Sequence, residues 1–375
     1  MSRPRRIVMR LHLWVGLGLG ALFVLAGLTG SLLVYYVEID RWLHPEQASQ
    51  GMADAAAFDA AITTVREAWP DKQGPWRIEV TDRPGAIPMR YYHPPETAGR
   101  GHAPMLVWLS SDGRQVLRRD FWGDSAMTWI YDLHYQLKMD KPGGTMMGIA
   151  GLALLALLVS GLWAWWPRGS WAKALRFKRG AGETRRLRDL HKLTGLAGLP
   201  LLAMLAATGA MLALPGETRA VLAPLLGNPA EMPAPHSRAG SGRQIAPSTA
   251  LAAARAAMPR ARPAWIEIPG VGDGTYRLRL QQPADPSRRF PQRFVWVDQY
   301  RGNVIARHDA ATFPALSVLE MWLHPLHDGS AGGQALRIAV MLAGLLPLGL
   351  FLTGLLRWQA RNRRKVSPKV SPGVR

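Results

Sequence analysis

"LRDLHKLTGLAGLPLLAMLAATGAML" (residues 187–212) is an apolar run long enough to cross a bilayer, and a histidine stands at its edge. A spanning helix needs about 20 mostly apolar residues, and an ionisable side chain at its border calls for a reason. The same punctuation recurs near the N-terminus in "MRLHLWVGLGLGALFVLAGLTGSLL" (9–33). His12, Gly16, Thr29, Gly30 and Glu38 reappear as His191, Gly195, Thr208, Gly209 and Glu217, all at one offset of 179 residues. A second set, His134, Ser160, Gly161 and Trp165, reappears as His327, Thr353, Gly354 and Trp358 at an offset of 193, as do Trp129 and Trp322. Matches held in register read as an internal repeat.

Length alone, 375 residues, allows two or more domains. Four apolar runs, roughly 11–36, 145–166, 190–214 and 335–358, each meet the length criterion for a transmembrane helix. The net charge of +20 is unevenly placed. Arg3, Arg5, Arg6 and Arg10 precede the first run, a basic cluster from Arg168 to Arg188 separates the second and third, and another from Arg357 to Arg375 follows the fourth. The long connections, about 39–128 and 215–334, are nearly balanced in sign. This is the positive-inside pattern of four spans with both termini cytoplasmic and the two long connections on the opposite side. It argues against nucleic acid as the partner. The first run is too long for a usual signal-peptide core and lacks a small-x-small cleavage site, so it is expected to be retained. With no cysteine, disulfides, cysteine-ligated clusters and covalent haem attachment are excluded.

The chain therefore divides into a basic N-terminus (1–10), a first span (11–36), an outer module with its lead-in (37–144), a second span (145–166) and a basic inner loop (167–189). A third span (190–214), a linker and second outer module (215–334), a fourth span (335–358) and a basic tail (359–375) follow. The first outer segment reads "AAAFDAAITTVREAWP", "PWRIEV", "MLVWLSSDGRQVL"; the second reads "STALAAARAAMP", "PAWIEI", "RFVWVDQYRGNVI". Helix, alternating strand and turning strand pair predict two small α+β modules, each too short for a large core of its own. "NPAEMPAPHSRAGSGRQIAPS" (228–248) has linker composition. The fold class is thus an α-helical membrane protein of four spans in two tandem repeats, each with an α+β module.

Of ten histidines, His93, His102, His236 and His308 lie in polar segments without repeat partners, and His44 and His324 occur in "WLHP" at non-equivalent places. That leaves His12 and His191 at the cytoplasmic ends of spans one and three, and His134 and His327 just outside spans two and four. A symmetric helix pair would present two facing imidazoles on each side of the membrane, and imidazole is a common axial ligand of haem iron. Zinc or copper is open from ligand type alone but needs further ligands. Nearby glycines (Gly16, Gly18, Gly20, Gly195, Gly198) would allow close approach of a flat macrocycle or a backbone. Asp132 and Asp189 are candidate hydrogen-bond partners of the histidines, and Arg10 and Arg188 candidate contacts of haem propionates. Trp163, Trp165, Trp166 and Trp171 read as an interfacial belt, and Thr29, Ser160, Thr208 and Thr353 as helix-packing hydroxyls.

These spaced motifs, with the paired outer modules, resemble the PepSY-associated transmembrane family over about residues 5–360. That group of bacterial iron-regulated inner-membrane proteins includes dihaem ferric-siderophore reductases. The resemblance implies four spans, PepSY-like periplasmic modules and two non-covalent b-type haems, with His12, His134, His191 and His327 matching the family's motif positions. It further implies electron transfer to a ferric siderophore or other ferric chelate. No dinucleotide glycine fingerprint follows a strand here, so the reductant is expected to be a reduced flavin, a flavoprotein or quinol. Two other readings stay open: a membrane-anchored PepSY peptide- or protease-binding regulator, and a siderophore or metal uptake accessory without redox activity.

Overall fold

The computed structural model describes residues 3–167, 169–238 and 243–366. Arg168, part of the 228–248 linker and most of the basic tail lie outside them. In chain order the helices begin with α1 (Arg3–Gly18), α2 (Gly20–Leu33), α3 (Tyr36–Leu43) and α4 (Ala55–Ala68). Strands β1 (Trp76–Glu79), β2 (Ile87–Tyr91), β3 (Met105–Leu109) and β4 (Val116–Phe121) follow. Helices α5 (Ala126–Gln136), α6 (Asp140–Trp165), α7 (Trp171–Leu175), α8 (Glu183–Ala213), α9 (Pro215–Leu226) and α10 (Pro247–Ala257) come next. Then come β5 (Arg262–Ile268), β6 (Thr275–Gln281), β7 (Arg293–Asp298), β8 (Val304–His308), α11 (Ala315–His327), α12 (Gly333–Ala343) and α13 (Leu346–Val366). The chain forms two compact units, one of Met1–Val34, His134–Leu214 and Leu326–Arg375, the other of Tyr35–Leu133 and Pro215–Pro325.

The first unit is helical. Asp140–Trp165, Glu183–Ala213 and Ser330–Arg363 are long and apolar enough to cross a membrane, and the pair α1–α2 becomes a fourth candidate if its 57° bend lies within one span. Large apolar side chains stay exposed along these helices, Val159 at 68% and Ile149 at 57%. Such surface suits lipid rather than water. The bend falls at Leu19 between Gly18 and Gly20. Each glycine weakens a helix by about 1 kcal/mol relative to alanine. Here the loss is offset by contact, because the Phe351 ring fills the place a Cβ on Gly20 would take. Farther along α2, Ser31 Oγ lies 2.9 Å from Gly27 O and 2.8 Å from Met341 O. Small residues here let two helix backbones approach, as in membrane bundles.

The second unit places both α+β segments on one antiparallel sheet of order β4-β3-β2-β1-β5-β6-β7-β8. The halves join where β1 pairs with β5, Arg77 opposite Glu267 and Ile78 opposite Ile266. Alternation sends Trp76, Ile78, Met89, Val107, Ile266, Leu278 and Val295 to one face, where Phe58, Ile62 and Val65 of α4 and Leu251 of α10 cover them in a single core. Asp59 on α4 accepts from Ser248 N at 2.8 Å, placing a carboxylate at the N-terminus of α10. On the other face Trp265 lies between two guanidiniums, Arg77 at 3.8 Å and Arg279 at 3.9 Å from its ring. Burial alone would raise the Glu79 carboxyl, but Arg90 and Arg77 hold it below its usual range. Part of the 228–248 segment packs as well: Ser237 is buried and its Oγ donates to Gly274 O at 2.6 Å.

A buried ion cluster fastens α3 to the sheet. Arg118, 7% exposed, donates to Asp40 at 3.1 Å and to Asp120, and stacks 4.2 Å from the Trp108 ring. Gln47 donates to the same Asp40 carboxylate at 3.3 Å. Removing one partner of a buried pair leaves an uncompensated charge. Arg118→Met should therefore destabilise this unit by about 3–5 kcal/mol, and the exposed neighbour Arg119→Met by less than about 1 kcal/mol. Protease-resistance and thermal-unfolding curves of the full chain would check the contrast, and equal effects would refute it.

Candidate functional site

Four imidazoles meet in two pairs within the helical unit. His12 on α1 and His191 on α8 have ring centroids 6.3 Å apart at an interplanar angle of 80°. His134 on α5 and His327 on α11 are 6.1 Å apart at 46°. Thus the structure brings together the same partners that the two offsets suggest.

Each ring is held by a hydroxyl from another helix. His12 Nδ1 lies 2.9 Å from Ser160 Oγ, and His191 Nδ1 lies 3.1 Å from Thr353 Oγ1. His134 and His327 Nδ1 each lie 3.0 Å from Thr29 and Thr208 Oγ1. The direction of these bonds follows from the hydroxyls' other contacts. Thr29 donates to Leu25 O at 2.7 Å, Thr208 to Met204 O at 2.7 Å, Thr353 to Gly349 O at 2.7 Å and Ser160 to Leu157 O at 3.0 Å. With its one proton so placed, each hydroxyl can only accept, and the imidazole must donate Nδ1–H. His191 Nδ1 is also 3.0 Å from Leu350 O, which can do nothing but accept. This arrangement favours, for all four rings, the tautomer with its lone pair on Nε2, a form in which Nε2 can ligate a metal.

The glycine after each hydroxyl completes the seat. A Cβ on Gly30 would stand 2.9 Å from His134 Cε1, on Gly209 2.9 Å from His327 Cε1, and on Gly161 3.1 Å from His12 Cε1. At Gly354 the distance to His191 Cε1 is 3.6 Å. Each Thr-Gly or Ser-Gly dipeptide is therefore a histidine cradle, a role that packing alone does not describe.

Each pair could hold one metal-centred group between its two rings. Two imidazoles bound on opposite sides of one metal, with bonds of about 2.0 Å and ring centres about 1.1 Å behind each nitrogen, have centroids about 6.2 Å apart. Among the described residues no three or more His, Asp, Glu or Cys gather as a metal-ligating group. Ligands in twos match an iron whose other positions a porphyrin fills, and do not match a tetrahedral zinc site. Beside the first pair, a Cβ on Gly16 or Gly18 would meet nothing within 4 Å, whereas Gly20 and Gly198 pack against Phe351 and Leu346.

Other candidates fall elsewhere. Asp132 accepts from Trp122 Nε1 at 2.8 Å and Asp189 from Arg185 Nε at 3.1 Å, whereas the histidine Nδ1 atoms lie against hydroxyls. An i,i+2 spacing puts each aspartate on a different helix face from its histidine. Arg10 is exposed and stands in the same relation to His12. Arg188 lines a cavity with Arg185, Arg357 and Arg361. His44 bonds Glu46 at 2.9 Å, and the His324 ring packs 4.5 Å from Phe290. Arg357 was not singled out by the repeat, because the position 193 residues earlier is Ala164.

Over 100 residues the chain is 33% identical to an uncharacterised protein of Pseudomonas aeruginosa, a stretch that is 27% of this chain and spans about a quarter (25%) of that relative's length. Nearly the whole sequence, residues 9–361, matches the PepSY-associated TM region, with its membrane helices and antiparallel sheet, and the chain belongs to that family.

Proposed function

We propose that this is a haem-containing electron-transfer protein of the bacterial inner membrane, built of two tandem repeats. In this reading it passes electrons from the cytoplasmic side to a periplasmic ferric chelate such as a ferric siderophore. The observation that carries the reading is the pair of imidazole pairs, 6.3 and 6.1 Å between centroids, with every ring held by a hydroxyl. A peptide-binding anchor has no use for this arrangement. His12 with His191, and His134 with His327, would each hold one b-type haem, which supplies a reversible one-electron change. The chain's own part is positioning. The cradles set ring orientation and ligand basicity, and the apolar helices keep water from the rings and so tune potential. At the outer side, reduction of the chelate's iron to Fe(II) weakens its hold by hard oxygen ligands and releases the metal with the carrier intact.

The test is a dithionite-reduced-minus-oxidised spectrum of detergent-purified protein, with haem quantified against chain. The expected result is b-type bands and about two haems per chain, the number of histidine pairs. Colourless protein from haem-replete cells would sink the proposal. Adding a ferric chelate to the reduced protein should then restore the oxidised spectrum while a ferrous trap captures the iron. If the bands persist in their reduced form, the acceptor half of the reading fails.

A further inference from the structure

A cavity of about 380 Å³ is lined by Gly182, Thr184, Arg185, Arg188, Arg357 and Arg361. Helix geometry ties it to the first histidine pair. On α8, His191 follows Arg188 by three residues and Thr184 by seven, so the three share a face. On α13, Arg357 and Arg361 stand in the same relation to Gly354. The His191 ring lies against Gly354, its Cε1 3.6 Å from where a Cβ would be. One turn beyond this contact come Arg188 and Arg357, and a further turn brings Thr184 and Arg361.

The polar groups around this cavity are set for an anion. Among the described residues, Arg357 Nε and Thr184 Oγ1 are buried with no hydrogen-bond partner. An orphaned buried donor is costly, and a native fold keeps one for a reason. The charges beside Arg357 are Arg188 and Arg361, both of its own sign. Asp189 is fully buried and is shared among Arg185 Nε at 3.1 Å, Lys192 Nζ at 3.4 Å and, at the longest distance, Arg188 Nε at 3.9 Å, so one carboxylate serves three cations. The sequence offsets add a parallel. They carry Arg5 onto Thr184 and Ala164 onto Arg357, and Arg5 donates to Ala164 O. Each half thus brings one guanidinium to the same level of its helix pair, from opposite helices.

We infer that Arg188, Arg357 and Arg361, with Thr184, form a clamp for the paired carboxylates on the edge of the porphyrin held by His12 and His191. This rests on the haem reading above and deepens it. Guanidinium forks match carboxylates in charge and shape, and a cavity one to two helical turns from the His191–Gly354 contact is where such an edge would emerge. The clamp neutralises charge that would otherwise favour ferric iron, so it also raises the potential of this haem relative to an unclamped one.

The experiment uses the full chain as apoprotein, with His134→Ala and His327→Ala leaving one pair, titrated with haem and with haem dimethyl ester. The ester has the same ring and no carboxylate charge. The parent should prefer haem by about 10- to 100-fold, the worth of one charge-assisted contact. Arg357→Gln with Arg361→Gln should lower that preference to near unity and shift the midpoint potential downward, with affinity for the ester unchanged as the sign of an intact fold. Arg357→Lys should keep part of the preference. Undiminished preference in the glutamine variants would overturn the clamp. So would variants that keep it but lose binding of flavin mononucleotide relative to riboflavin, or respond only to anionic lipid in nanodiscs, since the cavity would then serve a donor's or a lipid's phosphate. A parent that takes neither haem nor ester refutes the haem reading itself.

Discussion

Changing His12 to alanine should lower haem content from two per chain to one, and His191→Ala should do the same. The paired variant His12→Ala/His191→Ala should be no worse than either single change. If both rings serve one iron, as proposed, the losses share a cause and do not add. Combining across pairs, as in His12→Ala/His134→Ala, should leave none. The fold is expected to survive each change. The His12 side chain bonds the Ser160 hydroxyl at 2.9 Å, and such a bond contributes about 1 kcal/mol. His44→Ala is the control, since its ring bonds the exposed Glu46 carboxylate at 2.9 Å. Haem determined against protein, together with the reduced spectrum, reads all of these. Two haems retained in any single variant of the four would refute the ligand assignment, as would a fall in the His44 variant.

The parts of this molecule that depend on neighbours in sequence are legible in sequence, and the parts that depend on distant neighbours are less so. Apolar length announces α6 and α8. The alternation of Trp76 with Ile78 and of Ile266 with Ile268 announces β1 and β5, but only the fold shows that these two strands pair and make one sheet of two modules. The bend at Leu19 is similar. Its glycines permit a break, while the side chain that uses it, Phe351, comes from near the other end of the chain. At the candidate site the histidines stood out by repetition, and so did the Thr-Gly and Ser-Gly dipeptides. What sequence could not connect was one to the other, because the bonds span 105, 119, 148 and 162 residues. Nearness along the chain pointed instead to Asp132 and Asp189, which helix geometry turns away. Arg357 is not marked by the repeat, because the position 193 residues earlier is Ala164.

If the cradles act as described, Thr208→Val is the sharpest test of them. Valine keeps the β-branched shape and the volume on α8 but offers no acceptor to His327 Nδ1–H, which in the native chain sits 3.0 Å from the hydroxyl. The imidazole then loses the hydroxyl behind Nδ1–H, and with it the contact that favours the tautomer with its lone pair on Nε2. The loss is about 1–3 kcal/mol, so haem affinity at the His134–His327 pair should fall about 10- to 100-fold, the usual penalty for losing a partner behind a metal ligand. Thr208→Ser, which restores the acceptor, should recover most of it. Gly209→Val acts on the same ring by a different route. Its Cβ would stand 2.9 Å from His327 Cε1, and its methyl groups would push the ring off position, so this variant should lose the haem altogether. The order serine, valine at 208, valine at 209 separates the hydrogen bond from the steric seat. Wild-type affinity in Thr208→Val, measured by haem titration of the apoprotein, would mean that the hydroxyls merely pack helices and that ring orientation is set by something else. A graded loss in the stated order would mean that the dipeptide, repeated four times, is the element that makes histidines at helix ends into ligands.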